Sequence, residues 1–180
     1  MKIESGSIHS NTAGNASGET KGGEIEITAR NIMISGDSLS SSSGILSITS
    51  GKGKGGNITI TGTNSIIMSD FGIISAESIA APIGNPSDVG NSGNISISSP
   101  TLIINGDIYI GTPTRTDGKA GNIYIDVASL ELKNGAVIDS GSGGLDLSGA
   151  LVVGKGQAGV ITITATDYSS YFWLISNRIC

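Results

Sequence analysis

The sequence predicts an all-β fold, a single-stranded right-handed parallel β-helix (solenoid) of about four to five coils. Three observations predict it. A Gly-Gly-Asn-Ile-x-Ile motif recurs along the chain, its hydrophobic residues alternate with polar ones, and each copy leads through further short alternating segments into a Gly-rich loop. Recurrence at roughly 20–50 residues is the mark of solenoids, propellers and arrays.

The copies read "GGEIEIT" at 22–28, "GGNITIT" at 55–61, "SGNISIS" at 92–98, "AGNIYID" at 120–126 and "AGVITIT" at 158–164. The residue after the small pair is the anchor: Glu24, Asn57, Asn94, Asn122 and Val160. The first and third positions after each anchor are Ile25/Ile27, Ile58/Ile60, Ile95/Ile97, Ile123/Ile125 and Ile161/Ile163. Isoleucine at every one of these positions, alternating with polar side chains apart from Tyr124, describes a strand with one buried face.

A second alternating segment follows most anchors: Ile32/Ile34, Leu102/Ile104 and Leu130/Leu132, with Ile66/Met68 displaced by one residue. It ends in turn-forming residues, "SGD" at 35–37, "SDFG" at 69–72, "NGD" at 105–107 and "KNG" at 133–135. A third short strand comes next, as in "GIIS" at 72–75, "DIYI" at 107–110 and "AVIDS" at 136–140. One such triplet cannot bury its own apolar side chains. Stacked at about 4.8 Å on the next triplet, it bonds backbone to backbone and aligns like residues in ladders, so stability accrues along the stack. The glycines before each anchor suit corners that leave no room for a Cβ. Asn57, Asn94 and Asn122 are then expected to form an internal amide ladder. Right-handedness follows from the rule for parallel crossovers.

Composition narrows the function classes. With 10 basic against 15 acidic residues, a net charge of −5 and no basic stripe, the chain lacks the means to neutralise phosphates, so nucleic acid is excluded as a partner. Cys180 is the single cysteine, which rules out a disulfide within the chain. "MKIESGSIHSN" carries no apolar leader segment, and no apolar run is long enough for a membrane span. Residues 1–165 read as β-helix repeats, and 166–180 as a divergent tail holding four of the seven aromatics, Tyr168, Tyr171, Phe172 and Trp173. The tail is open to three readings: a cap on the column, a junction sequence without selected structure, or a membrane-attaching segment at Tyr171–Ile175. Five residues are short for the last.

No catalytic, cofactor-binding or metal-binding residue is assigned, and no cofactor is expected. Stacking the anchors places Glu26, Thr59, Ser96, Tyr124 and Thr162 in one outward column, and Thr28, Thr61, Ser98, Asp126 and Thr164 in the next. Each acid there stands alone among hydroxyls, whereas glycosidases need paired carboxylates. Asp107, Asp117 and Asp139 are assigned to turns and loops. The Thr-x-Thr pattern suggests an ice-binding ladder, but Glu26, Tyr124 and Asp126 interrupt it. "GKGKGG" at 51–56 and "GALVVGKG" at 149–156 resemble phosphate-binding loops but precede strands instead of helices. "GSGGLDL" at 141–147 is one partial copy of a calcium repeat that works in tandem. His9 has no neighbouring ligand residues and reads as a surface residue. The Asn57 and Asn94 sequons fall at corners that hide them.

The "GGNITI"-type starts, "LELKNGAVIDS" at 130–140 and "GSGG" at 141–144 resemble the repeat region of filamentous haemagglutinin-like exoproteins of bacterial two-partner secretion systems. That resemblance covers about residues 1–165. It implies a right-handed parallel β-helix from a secreted adhesin or surface fibre, located outside the cell or on its outer surface. For the full-length parent it implies an outer-membrane transporter as partner, with a host, cell-surface or glycan ligand. The secretion-domain motif N-P-N-G is not matched, since "GNPSDVG" at 84–90 sits in a mid-repeat loop, and Met1 falls inside a coil. The expectation is therefore a non-enzymatic structural or adhesive segment of a longer exoprotein. A carbohydrate-active or carbohydrate-binding β-helix and a nonfunctional gene remnant are the alternatives. The loops at 76–92 and 111–119 are where binding is expected.

Overall fold

A computed structural model of the chain describes residues 1–13, 21–36, 43–50, 53–79, 90–115, 117–145, 151–152 and 155–176. In chain order its strands begin with β1 (Lys2–Glu4), β2 (Ser7–His9), β3 (Thr12–Ala13), β4 (Ile25–Ser35), β5 (Gly44–Leu46) and β6 (Thr49–Ser50). They continue with β7 (Ile58–Ser69), β8 (Ile73–Ser75), β9 (Ser78–Ile79), β10 (Ile95–Asn105), β11 (Tyr109–Gly111) and β12 (Ile123–Asp139). β13 (Gly144–Leu145), β14 (Leu151–Val152) and β15 (Ile161–Ser176) complete the set.

The long strands stack in the order β1-β4-β7-β10-β12, with β15 added on β12, and every ladder in this sheet is parallel. The sheet then returns through β11, β8, β5 and β2. β12 joins the two stacks because it continues past a corner: residues 123–133 pair with β10, and 137–139 pair with β11. A smaller parallel sheet, β3-β6-β9, lines a further side, and β13-β14 is an antiparallel hairpin. The fold is a parallel β-helix.

Two of the three strands expected per coil are one continuous strand. Ile25/Ile27 and Ile32/Ile34 both belong to β4, and the same holds in β7, β10 and β12. The strand runs unbroken between the two segments, and pairing shifts register there only in the two ladders that β7 makes. β7 carries one extra residue, since Ala29 faces Gly62 while Asn31 faces Ser65. That bulge is why Ile66/Met68 is displaced by one in the sequence.

Ile27, Ile60, Ile97, Ile125 and Ile163 lie in register, and so do Ile34, Met68, Ile104 and Leu132. All the isoleucines predicted to face inward are buried or pack against the core. The far side of the interior is polar. Thr12, Thr49, Ser78, Thr114 and Ser142 form one column, and the last four of these are buried. Nearby hydroxyls donate to corner carbonyls: Thr112 Oγ1 to Gly121 O at 2.7 Å, Ser140 Oγ to Gly121 O at 2.6 Å, and Ser92 Oγ to Pro113 O at 2.7 Å. These bonds meet the demand that buried carbonyls be paired.

The corners before the anchors are tight. A Cβ on Gly93 would lie 2.0 Å from Gly56 O, and one on Gly121 would lie 1.7 Å from Gly93 O. The asparagines form a ladder, but at half-buried positions instead of the internal ones expected, and through backbone N–H groups. Asn57 Oδ1 accepts from Asn94 N at 2.9 Å, Asn94 Oδ1 from Asn122 N at 2.8 Å, and Asn122 Oδ1 from Val160 N at 2.9 Å. Each side chain thus holds the next rung's backbone. Replacing Asn94 with alanine strips Asn122 N–H of its acceptor and should cost ~1–3 kcal/mol. Asn94→Asp keeps an acceptor oxygen and should lose less, as urea unfolding of both variants would show. At the opposite bend, Asp70, Gly106, Asn134 and Gly135 adopt positive φ, as the predicted turns require.

The 165/166 boundary falls inside β15, which pairs with β12 as far as Asp139↔Ser176, with one register shift between Lys133 and Ala136. Ile161, Ile163 and Ala165 are only partly buried there, because β12 covers one side of β15 and no described strand covers the other.

Candidate functional site

The outward columns read from the sequence are confirmed by the register: Glu26, Thr59, Ser96, Tyr124 and Thr162 pair in series, as do Thr28, Thr61, Ser98, Asp126 and Thr164. This face presents hydroxyls with single acids among them. Tyr124 is exposed, and its Oη accepts a hydrogen bond from Asn122 Nδ2 at 3.1 Å. Asp107 is exposed beside Gly135, and Asp117 Oδ1 accepts from Lys155 N at 3.3 Å. His9 is exposed next to Ser7. Gly55 and Gly56 of "GKGKGG" are buried corner residues leading into β7, and Gly156 packs against Gly118 O before β15. Neither motif opens a helix. Gly144–Leu145 of "GSGGLDL" belongs to the β13-β14 hairpin. Residues 51–52, 146–150, 153–154 and 177–180, including Cys180, lie outside the described residues, as do 80–89 and 116 of the two long loops.

Asp139 departs from its expected place. It closes β12, directly beside Gly111 in the neighbouring rung, with Ser75 one rung further. Gly111 has no side chain, so the Tyr109 ring lies across it; a Cβ on Gly111 would meet Tyr109 Oη at 2.3 Å. The phenol donates to Asp139 Oδ2 at 3.4 Å, and Asp139 Oδ1 accepts from Gly141 N at 3.1 Å. Arg115 N donates to Ser78 O at 3.0 Å, which anchors that residue one rung beyond Glu77. Its guanidinium sits 3.6 Å from Glu77 Oε2, with the two side chains only 26% and 15% exposed.

Four polar side chains from three successive coils therefore gather on one lateral face. Burial pushes the Glu77 carboxyl above its ordinary value, partly offset by the Arg115 charge. Burial also raises Tyr109 well above the ordinary phenol value, helped by the negative charges of Asp139 and Glu77. Tyr109 thus remains a hydroxyl donor in ordinary buffers. Only Asp139 of this group was singled out from the sequence. Glu77 and Arg115 carry no local motif, and the one cue was Tyr109 two residues before a glycine. Among the described residues, no three His, Cys, Asp or Glu side chains are grouped so as to hold a metal ion, and no helix is long and apolar enough to cross a membrane.

A raised carboxyl sets a pH dependence. The folded state binds the Glu77 proton more tightly than the unfolded chain, so acidification through the folded value and down to the ordinary glutamate range adds stability at this site. Glu77→Gln should therefore gain on the wild type at neutral pH, and the gain should vanish toward pH 4. Melting temperatures of both proteins across that range check the sign.

Comparison of the chain with protein-family models, with curated proteins and with solved structures found no match.

Proposed function

We propose that this chain is a non-enzymatic structural and adhesive segment of a secreted, surface-associated bacterial exoprotein, similar to the repeat regions of filamentous haemagglutinin-like proteins. The observation that carries this reading is the in-register isoleucine column running from β4 to β15. Such a column makes a stiff rod whose length grows with each coil, while its outward positions and loops vary from rung to rung. A rod of that kind displays side chains at a distance from its base, which suits contact with a host surface or a glycan. The parent protein would reach the cell exterior through an outer-membrane transporter.

Two measurements test it. Antibody raised against the chain should label intact cells and lose that label after brief external protease treatment. DNA flanking the reading frame should continue the Gly-Gly-Asn-Ile rhythm toward a leader and a secretion domain. Label confined to permeabilised cells would overturn the reading. A second reading, a carbohydrate-binding β-helix, is favoured by one specific observation: the convergence of Glu77, Tyr109, Arg115 and Asp139 on one face.

A further inference from the structure

We infer that Asn134 is a site of spontaneous covalent modification, in which its side-chain amide is lost to attack by the backbone nitrogen of Gly135. β12 is left with an aspartyl or isoaspartyl link at its corner. This is independent of both readings of function above.

The chemistry needs only water. Gly135 N attacks Asn134 Cγ, a C–N bond forms and the Cγ–Nδ2 bond breaks. The amide leaves as ammonia, taking the proton that Gly135 N gives up. Water then opens the five-membered imide at one of its two carbonyls. Opening at Cγ gives aspartate. Opening at the main-chain carbonyl of residue 134 gives isoaspartate, which adds a methylene to the main chain. Glycine in the following position favours ring closure, because no Cβ obstructs its nitrogen, and asparagine is among the thermolabile residues.

The sequence holds two Asn-Gly pairs, at 105–106 and 134–135, and both asparagines are exposed. They lie side by side in successive rungs, with Asn134 Nδ2 donating to Asn105 Oδ1 at 2.7 Å. Sequence alone ranks the two pairs as equals. The structure separates them. Ring closure swings the peptide group between Asn and Gly, so whatever holds that group slows the reaction. At 105–106 it is held at both ends: Gly106 N donates to Lys133 O at 3.2 Å, and Asn105 O accepts from Asp70 N at 3.2 Å. Packing is close there as well, since a Cβ on Gly106 would lie 2.8 Å from Asp70 N.

Asn134 and Gly135 fall between ladders. β10 pairs with β12 only as far as Lys133, the β15 ladder skips from Lys133 to Ala136, and β11 joins at Val137. Both residues are exposed, and the first backbone atom a Cβ on Gly135 would meet is Asp107 Cα at 3.8 Å. This peptide group can therefore swing without parting two rungs. The side-chain bond between the asparagines is lost whichever of them reacts, so it does not favour either.

The position gives the reaction a consequence. Asn134 lies where β12 turns from its pairing with β10 to its pairing with β11. An added methylene there pushes Val137, Ile138 and Asp139 out of step with Tyr109, Ile110 and Gly111. The new carboxylate also stands near that of Asp107, which lies beside Gly135. Like charges at that distance repel.

The test is to hold the full chain in warm, mildly alkaline water labelled with heavy oxygen and to follow both Asn-Gly peptides by mass spectrometry. Label should enter at 134 about fivefold faster than at 105, or more, because backbone hydrogen bonds must break first at 105. Isoaspartate should accumulate at 134, and the aged protein should melt below the fresh protein. Asn134→Gln, whose longer side chain would need a six-membered ring, should keep its melting temperature through the same incubation. The wild-type rates carry the test if that variant fails to fold. Equal rates at the two sites, or faster conversion at 105, would overturn the inference. Aspartate without isoaspartate at 134 would overturn the imide route.

Discussion

Gly121→Ala should destabilise the column by at least about 3 kcal/mol, toward the upper end for overpacked sites, or roughly 6–12 °C in Tm for a chain of this size. The added methyl would stand 1.7 Å from Gly93 O and 2.6 Å from its carbonyl carbon, with Thr112 Cβ at 3.1 Å on another side. Two of these are backbone atoms of the adjoining rung, so no rotamer change relieves the clash and the rungs must separate. Separation would also stretch the hydrogen bonds that Gly121 O accepts from Thr112 and Ser140, and the Asn94 contact to Asn122 N next to it. Gly6→Ala is the matched control, because its nearest neighbour would be Glu4 O at 3.7 Å. That change should stay within about 0.5 kcal/mol. Thermal melts of the two variants side by side decide the matter. Equal small losses would mean that the corners relax freely and that glycine there is not a requirement of the stack.

The same corners show why so much of this architecture is legible in the sequence. Glycine followed by Asn and alternating isoleucine fixes the corner, the strand and its inward face together, because a strand's side-chain period of two admits a single choice of face. The outward columns from Glu26 to Thr162 and from Thr28 to Thr164 follow at once. The displaced Ile66/Met68 pair even reports the bulge in β7. Other features were hidden for physical reasons. Alternation marks which way a side chain points, but not whether the strand runs unbroken between two segments, so the fusion of paired segments into β4, β7, β10 and β12 could not be read. Buried serine and threonine read like solvent-face residues in a sequence, which concealed the column from Thr49 to Ser142. The lateral cluster was the hardest to see. Glu77 and Arg115 lie in the part of the coil that absorbs the variation in repeat length, so no anchor aligns them with Asp139. They meet only because β12 turns the corner and carries Asp139 back beside Gly111.

Ile97→Ala should cost ~2–5 kcal/mol, the range for large aliphatic truncations in a core that cannot collapse. Ile97 is packed between Ile60 on one rung and Ile125 on the next, so truncation leaves a void that both neighbours are held away from by their own ladders. The equivalent change at Ile163 removes the same atoms from the column, yet it should cost less than half as much. Its side chain has Ile125 on one side, and no described strand covers the other. In a stack where each rung interacts only with its neighbours, an end rung holds about half the interface energy of a middle one. Urea unfolding of both variants measures the ratio. A ratio near one would mean that the free edge of β15, with Ile161, Ile163 and Ala165 partly exposed along it, is covered in solution. An open parallel edge is a template for further strand pairing. In that event the Tm should rise with protein concentration, since association through that edge would stabilise the folded state by mass action.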